Sequence, residues 1–463
     1  MNNSTMMHDQ SIGSLLWKFS LPAIAGMLVN ALYNVVDRIF VGRGVGSIAI
    51  AATTVAFPIM IILMAVSLLI GIGATALISI RLGEQKKEEA EKVAGNATVM
   101  LVVLPLCLAI IYLLFPEPIL KIFGASAEVL PYARDFMQII MLGAVFGSLG
   151  MGMNNFIRAQ GDAKTAMYTQ LLGASINIVL NYFFIFKLGM GIKGSALATV
   201  SGQFISALWV LGYFFSGRSL VKIRLKYFRL QLPVLLSIMS IGFAPFALQL
   251  ANSVQQLIIN KTLLAYGGDL ALSAVGIMMS IITLLLMPII GISQGAQPLI
   301  GFNYGARQYD RVKETLIKAV IGASGVSIAG YLVIQIWPTQ IVGLFSRGDT
   351  VLTQMTVNAM KVYFAMIFII GFQVICSNYL QAVGKGIQAA ILSLSRQVLL
   401  FIPLLLILPH FWGIDGVWRT APIADALSVL LTATFIYFEM KILTKTESSS
   451  PSPAPARILQ KEY

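Results

Sequence analysis

The sequence predicts an all-α membrane protein: twelve transmembrane helices in two six-helix lobes, related by a pseudo-twofold axis along the membrane normal. Three observations carry that expectation. The residues are 57% hydrophobic and 11% charged, with a mean hydropathy of +0.84, a balance no soluble domain of 463 residues needs. Apolar runs of about 18 residues or more recur along the chain. The second half also repeats the first at a nearly constant offset.

The runs fall at 15–42, 51–82, 93–115, 129–158, 166–188, 193–215, 237–266, 270–303, 313–336, 351–382, 387–409 and 416–443, each long enough to cross a bilayer. The opening residues MNNSTMMHDQ have no basic region ahead of the first span, so that span is expected to be retained rather than cleaved. The repeat is read from four separated places. Pro22 pairs with Pro245, GATALISIRLGEQ from Gly73 with GAQPLIGFNYGARQ from Gly295, NNFIRAQG from Asn154 with SNYLQAVG from Ser377, and GIKG from Gly191 with GIDG from Gly413. Helix order agrees at all four, as internal duplication requires. Six crossings per repeat make both halves enter the membrane in the same sense, with a cavity between them.

The expected divisions are an N-terminus at 1–14, lobes at 15–215 and 237–443, a basic linker at 216–236, and a tail at 444–463. The tail's SSSPSPAPARILQKEY has the Pro and Ser content of a disordered segment. A net charge of +13 raises the question of nucleic acid, but the placement of the charge answers it. Arg218, Lys222, Arg224, Lys226 and Arg229 share the longest loop. Arg81, Lys86, Lys87 and Lys92 follow span two, and Arg307, Arg311, Lys313 and Lys318 follow span eight. This is the positive-inside bias. It puts both termini in the cytoplasm of a plasma (inner) membrane protein and needs no nucleic acid partner. Cys107 and Cys376 both lie within spans, which points to small buried hydrophobes rather than a disulfide.

The chemistry concentrates in span one. Asp37 sits inside an apolar stretch, and a carboxylate at the centre of a spanning helix costs roughly 2.5–3.5 kcal/mol on insertion scales. Asn30 and Asn34 share its helical face. Asp37-Arg38 falls opposite Asn260-Lys261 in the repeat, so the acid belongs to one lobe alone. Span five adds Asn177 and Asn181, and span six Ser195, Thr199 and Gln203. Together they offer hard oxygen ligands for sodium or a poorly solvated carboxylate that takes a proton. Two plainer readings stand beside these. The amides could equally serve as interhelical hydrogen bonds, and Asp37, about 8 Å from its helix end, could be an interfacial anchor paired with Arg38. Gln249, Asn252, Gln256 and Asn260 line one face of span seven, either facing the cavity or holding helices together. Gln249, Asn252 and Gln256, with Asn30, Tyr33, Asn34, Met64 and Met287, make up the candidate substrate cavity. Arg396 and Asp425, both near mid-membrane on adjacent spans, are expected to form an ion pair of structural character.

Several signals are set aside. Gly189, Gly191 and Gly194 fit GxGxxG but join two spans and follow no strand. GYFFSGRS from Gly212 has arginine where a phosphate loop needs lysine. The two histidines, His8 and His410, make no metal or acid–base cluster. No nucleotide-hydrolysing domain and no cofactor is expected, so uphill work must draw on an ion gradient or a separate partner.

The two lobes, LPAIAGMLVNALYNVVDRIFVGRGVG in span one and RAQGDAKTAM after span four resemble the multidrug and toxic compound extrusion (MATE) transporters, in the MepA- and DinF-like branch, from about Ser14 to Thr446. The resemblance implies a monomeric antiporter, not an enzyme. It would be driven by protons or sodium and export amphiphilic, often cationic, small molecules through a V-shaped cavity among membrane lipids. It also implies a cation-coupling site at Asp37, Asn177, Asn181 and Thr199, with Pro22 as the bend of span one. Asn181 departs from relatives that carry aspartate there, which leaves Asp37 as the sole acid of the site. The C-lobe acids of the NorM-like branch are absent, Gln373 and Asn378 standing in span ten. The alternative is a lipid or lipid-linked oligosaccharide flippase of the same superfamily. That class carries more spans or a strongly cationic cavity, whereas here the basic residues sit in loops. A receptor or an enzyme is disfavoured by the two-lobe repeat and by the lack of a nucleophile–base pair.

Overall fold

In the computed structural model, which describes residues 7, 10–346 and 349–449, the chain is built almost wholly of long helices. Among the described residues nine helices are long and apolar enough to cross a membrane, and two bent pairs bring the number to eleven. The last of the nine, Gly386–Thr444, has 59 residues, about 90 Å at 1.5 Å per residue, far more than one crossing. Gly413 interrupts it in a non-helical conformation with φ 54°. Counted as two, it completes twelve spans.

Span one is an unbroken helix, Ile12–Gly44, through Pro22. Spans two and three are Ser47–Gly83 and Lys87–Leu114. Span four is Leu130–Leu142 followed by Ala144–Ala159 at 53°. The break falls at Gly143, where a side chain would meet Val200 of span six only 2.5 Å away. Span five, Ala163–Tyr182, starts from Asp162, whose carboxylate accepts from Thr165 N at 3.0 Å and Thr165 Oγ1 at 2.8 Å, a side-chain cap for the orphaned first-turn donors. A π-helical turn, Phe183–Lys187, extends it. Span six is Gly191–Phe215.

The C-lobe repeats this order. Leu232–Gly305 turns at Gly268 into spans seven and eight, and Tyr309–Ile336 is span nine. Span ten is Thr350–Tyr363 with Ile367–Ala382, bent by 48°. Span eleven runs from Gly386 through a π-helical stretch, Ser395–Phe401. Span twelve follows Gly413 and carries on to Ser449, past the expected start of the tail; residues 450–463 lie outside the described residues. The duplication is written into the backbone turns. Left-handed Gly46 (φ 106°) has its partner in Gly268 (62°), Gly191 (56°) in Gly413 (54°), and Gln85 (63°) in Arg307 (57°).

The apolar cores place the cleft. Two clusters belong to one lobe each: Val41, Ile59, Phe136, Ile185 and Ala196 in the first, Ile259, Met278, Phe364, Phe401 and Val417 in the second. Both lie away from the linker. A third and larger cluster joins the lobes at the linker end, uniting Leu15, Phe19, Ile70 and Ile78 with Ile238, Ile292, Leu299 and Phe302. The helices touch closely there. A methyl group at Gly242 would strike the Leu69 carbonyl, and one at Gly83 the Phe302 carbonyl. One at Gly291 would fall 2.5 Å from Ile24, and one at Gly295 2.5 Å from Ser20 Oγ. The lobes are therefore sealed at the linker end and diverge beyond it. On the diverging stretches Asn30, Asn252 and Gln256 are exposed.

Candidate functional site

In the N-lobe, spans one, five and six bring polar side chains into one chain of hydrogen bonds. Asn181 Nδ2 donates to Asp37 Oδ1 at 2.5 Å and to Asn177 Oδ1 at 3.1 Å. Asn177 Nδ2 donates to Thr199 Oγ1 at 3.1 Å. Ser195 Oγ, one turn before Thr199, donates to Asp37 Oδ1 at 3.4 Å. Asn177, Asn181, Ser195 and Thr199 are all buried, whereas Asp37 is half-buried. The spacing explains the geometry. Asn177 and Asn181 are four apart on span five, as are Ser195 and Thr199 on span six, so each pair stacks on one face. Gly202 lets spans five and six close, since a side chain there would fall 2.8 Å from the Gly173 carbonyl.

These contacts set Asp37 among amides and hydroxyls of its own lobe. The side chains of Asn34 and Arg38 lie outside the described residues. Charge-assisted donors hold the ionised carboxylate, and a proton on it would change what Asn181 can donate to. Sodium asks for oxygens. As the amides stand, Asn181 turns its nitrogen toward both neighbouring oxygens, while its own Oδ1 is buried without a partner. A half-turn of that amide would face Asn181 Oδ1 toward Asp37 and Asn177 Oδ1, an oxygen set suited to a hard cation.

The C-lobe stripe forms a second polar chain. Gln397 Nε2 of span eleven donates to Asn252 Oδ1 of span seven at 2.6 Å, Asn252 Nδ2 to Gln249 Oε1 at 3.4 Å, and Gln256 Nε2 to Asn260 Oδ1 at 2.9 Å. Beside Gln397, Arg396 Nε donates to buried Asp425 Oδ1 at 2.6 Å. Met64 and Met287 are half-buried, Pro22 is buried, and Tyr33 stands beside Asp37 and Thr199.

A model of the MatE family matches this chain twice, over residues 22–183 and 245–407, which together make up more than half of it. The chain belongs to the MATE family. Among curated relatives it is similar to the multidrug export protein MepA of Staphylococcus haemolyticus (strain JCSC1435), 28% identical over 441 residues that span 95% of this chain and 97% of the relative. Among solved structures it is similar to a ligand complex of the MATE multidrug transporter DinF-BH: 39% identity, TM-score 0.87, 93% of this chain and 96% of that one. It is also similar to an outward-facing MATE family transporter of the MOP superfamily, with 25% identity, TM-score 0.89 and coverage of 95% and 98%.

The MATE chain also has a polar floor to its cleft that sequence reasoning missed. Buried Arg158, at the end of span four, donates through Nη1 to Gln294 Oε1 of span eight, across the lobe boundary. With its amide oriented to satisfy both neighbours, Gln170 Oε1 accepts from Arg158 Nη2 at 2.8 Å and its nitrogen donates to Gly26 O at 3.2 Å. At the same end Arg311 Nη2 donates to the carbonyls of Met7 and Gln10, each at 2.9 Å, tying the start of span one to the C-lobe. Arg158 sits in the NNFIRAQG motif. An arginine inside the end of an apolar span was the available signal, but its partner lies 136 positions away, beyond the reach of periodicity.

Proposed function

We propose that this MATE chain is a cation-coupled secondary antiporter, integral to the plasma membrane with both termini cytoplasmic, that exports amphiphilic and often cationic compounds by alternating access between its lobes. The observation that carries this reading is the position of Asp37, a lone carboxylate bonded to Asn181 and Ser195 where the diverging lobes leave one wall open. Multidrug export in the name of the MepA relative and multidrug transport in that of DinF-BH support the substrate class.

The proton is the better fit of the two cations, because hydrogen-bond donors, Asn181 Nδ2 and Ser195 Oγ, are turned toward Asp37. With the carboxylate ionised, Asn181 bridges span one to span five. Protonation weakens that bridge and frees span one to bend at Pro22, where the ring removes a backbone donor. Substrate and proton then compete through the packing of span one, a coupling free energy between two sites. With termini and linker in the cytoplasm, the sealed end is the inner one, and the cleft described here faces outward.

The test is dye movement in liposomes holding the purified chain, with proton and sodium gradients imposed one at a time. Uphill movement of a cationic dye driven by the proton gradient is the expected result. Movement under neither gradient would refute antiport, and movement under sodium alone would refute the choice of proton.

A further inference from the structure

Resting on the export reading, we propose that Arg396 is a substrate-binding residue: a C-lobe subsite for the carboxylate of zwitterionic amphiphiles, with Asp425 as its internal counter-ion.

The internal repeat locates it. At the offset linking Gly191 to Gly413, Arg396 of span eleven falls on Ala174 of span five, one helical turn before Asn177, and Asp425 of span twelve falls on Gln203 of span six, one turn after Thr199. The pair therefore stands on the helix faces that carry the coupling network in the N-lobe, one turn nearer the linker. Span eleven is locally π-helical through Ser395–Phe401, an irregularity frequent at functional sites and one that re-aims the side chains it carries.

The hydrogen bonds then show what the guanidinium has left to offer. Its Nε is the one group bonded to Asp425. Neither Nη makes a hydrogen bond to any described residue, although 25% of the side chain is exposed against 3% for Asp425. Arginine presents its donors as a planar fork matched to a carboxylate. An arginine fork turned to lipid at mid-membrane is costly. The next residue, Gln397, ties its amide to exposed Asn252, which brings this stretch of span eleven beside the polar stripe of span seven.

Charge balance selects the ligand. Asp425 already cancels Arg396, so a simple anion would leave a net negative charge in a poorly solvated place. A zwitterion brings its own cation and leaves the balance at zero. A purely cationic ligand gains nothing from the fork.

The experiment uses the full chain in lipid nanodiscs and one rhodamine dye in two forms, the zwitterionic free acid and its cationic ethyl ester. Affinities are measured by fluorescence polarisation. Two variants keep buried charge balanced: Arg396→Lys retains the pair but loses the fork, and the double variant Arg396→Gln with Asp425→Asn removes both charges. The expected result is that the preference for free acid over ester falls about tenfold or more in each, the scale of one charge-assisted hydrogen bond. An unchanged preference in either folded variant, or no binding of the free acid by the unmodified chain, would overturn the proposal. Export of the ester by the unmodified chain is read separately. Its absence would count against the export reading, while the affinity ratio alone decides the role of Arg396.

Discussion

Asn181 Nδ2 lies 2.5 Å from Asp37 Oδ1, joining span five to span one across 144 positions of sequence. Because the same nitrogen also reaches Asn177, the amide is a fixed bridge rather than a passing contact. Asn181→Ala should slow proton-driven dye export about tenfold, the scale of a lost charge-assisted hydrogen bond. Asn181→Asp instead adds a second carboxylate and should make transport depend on sodium. Initial rates under each gradient check both outcomes, and rates equal to those of the unmodified chain would count against the bridge.

The sealed end makes its own prediction. At Gly242 there is no room for a side chain against the Leu69 carbonyl, so Gly242→Leu should wedge the lobes apart there and cut transport severely. Cysteines replacing Ser20 and Gly295, whose positions nearly touch, should cross-link readily on oxidation and trap the cleft open on the far side, blocking export until reduced. Free export by the cross-linked protein would contradict alternating access.

The linker is held by span three. Buried Asn96 donates to Tyr227 O at 3.1 Å and accepts from Gln231 N at 2.7 Å. Asn96→Ala leaves those backbone groups unpaired and should cost about 1–3 kcal/mol, seen as a lower thermal unfolding midpoint in detergent.

Glu84, in the turn after span two, contributes a pH-dependent part of stability. Burial alone would raise its carboxyl pKa, but hydrogen bonds from Arg81 and Lys86 outweigh burial and hold it below the usual carboxylate range. Such a group stabilises fully above its unfolded pKa, and the contribution is lost as pH falls through the lowered one. The unfolding midpoint should therefore drop on acidification below about pH 4, and less steeply in Glu84→Gln.

The architecture was legible in the sequence because apolar runs and repeated Gly, Pro and Asn report directly on helices and turns. Asp37 and the polar stripes of spans five and six stood out for a similar reason, since side chains four apart stack on one face and few polar groups lie inside spans; the grouping of Asp37, Asn177, Asn181 and Thr199 into one site came from the family resemblance. The pair Gly143 and Gly147 pointed to a close helix approach, and both lie against span six; what escaped was the bend itself and the contact between lobes. The bend at Gly143 lies against Val200 of another helix, and the Arg158–Gln294 contact crosses between lobes. Neither leaves a period in the chain.

In the proposed antiport the Asp37 carboxyl carries the coupling proton. The most direct measurement is proton release on adding a cationic dye to the purified chain in weakly buffered solution, for the unmodified protein and for Asp37→Asn, with dye binding followed in parallel. Release from the unmodified protein, and none from an Asp37→Asn variant that still binds the dye, is the predicted result. Equal release from both would contradict the account.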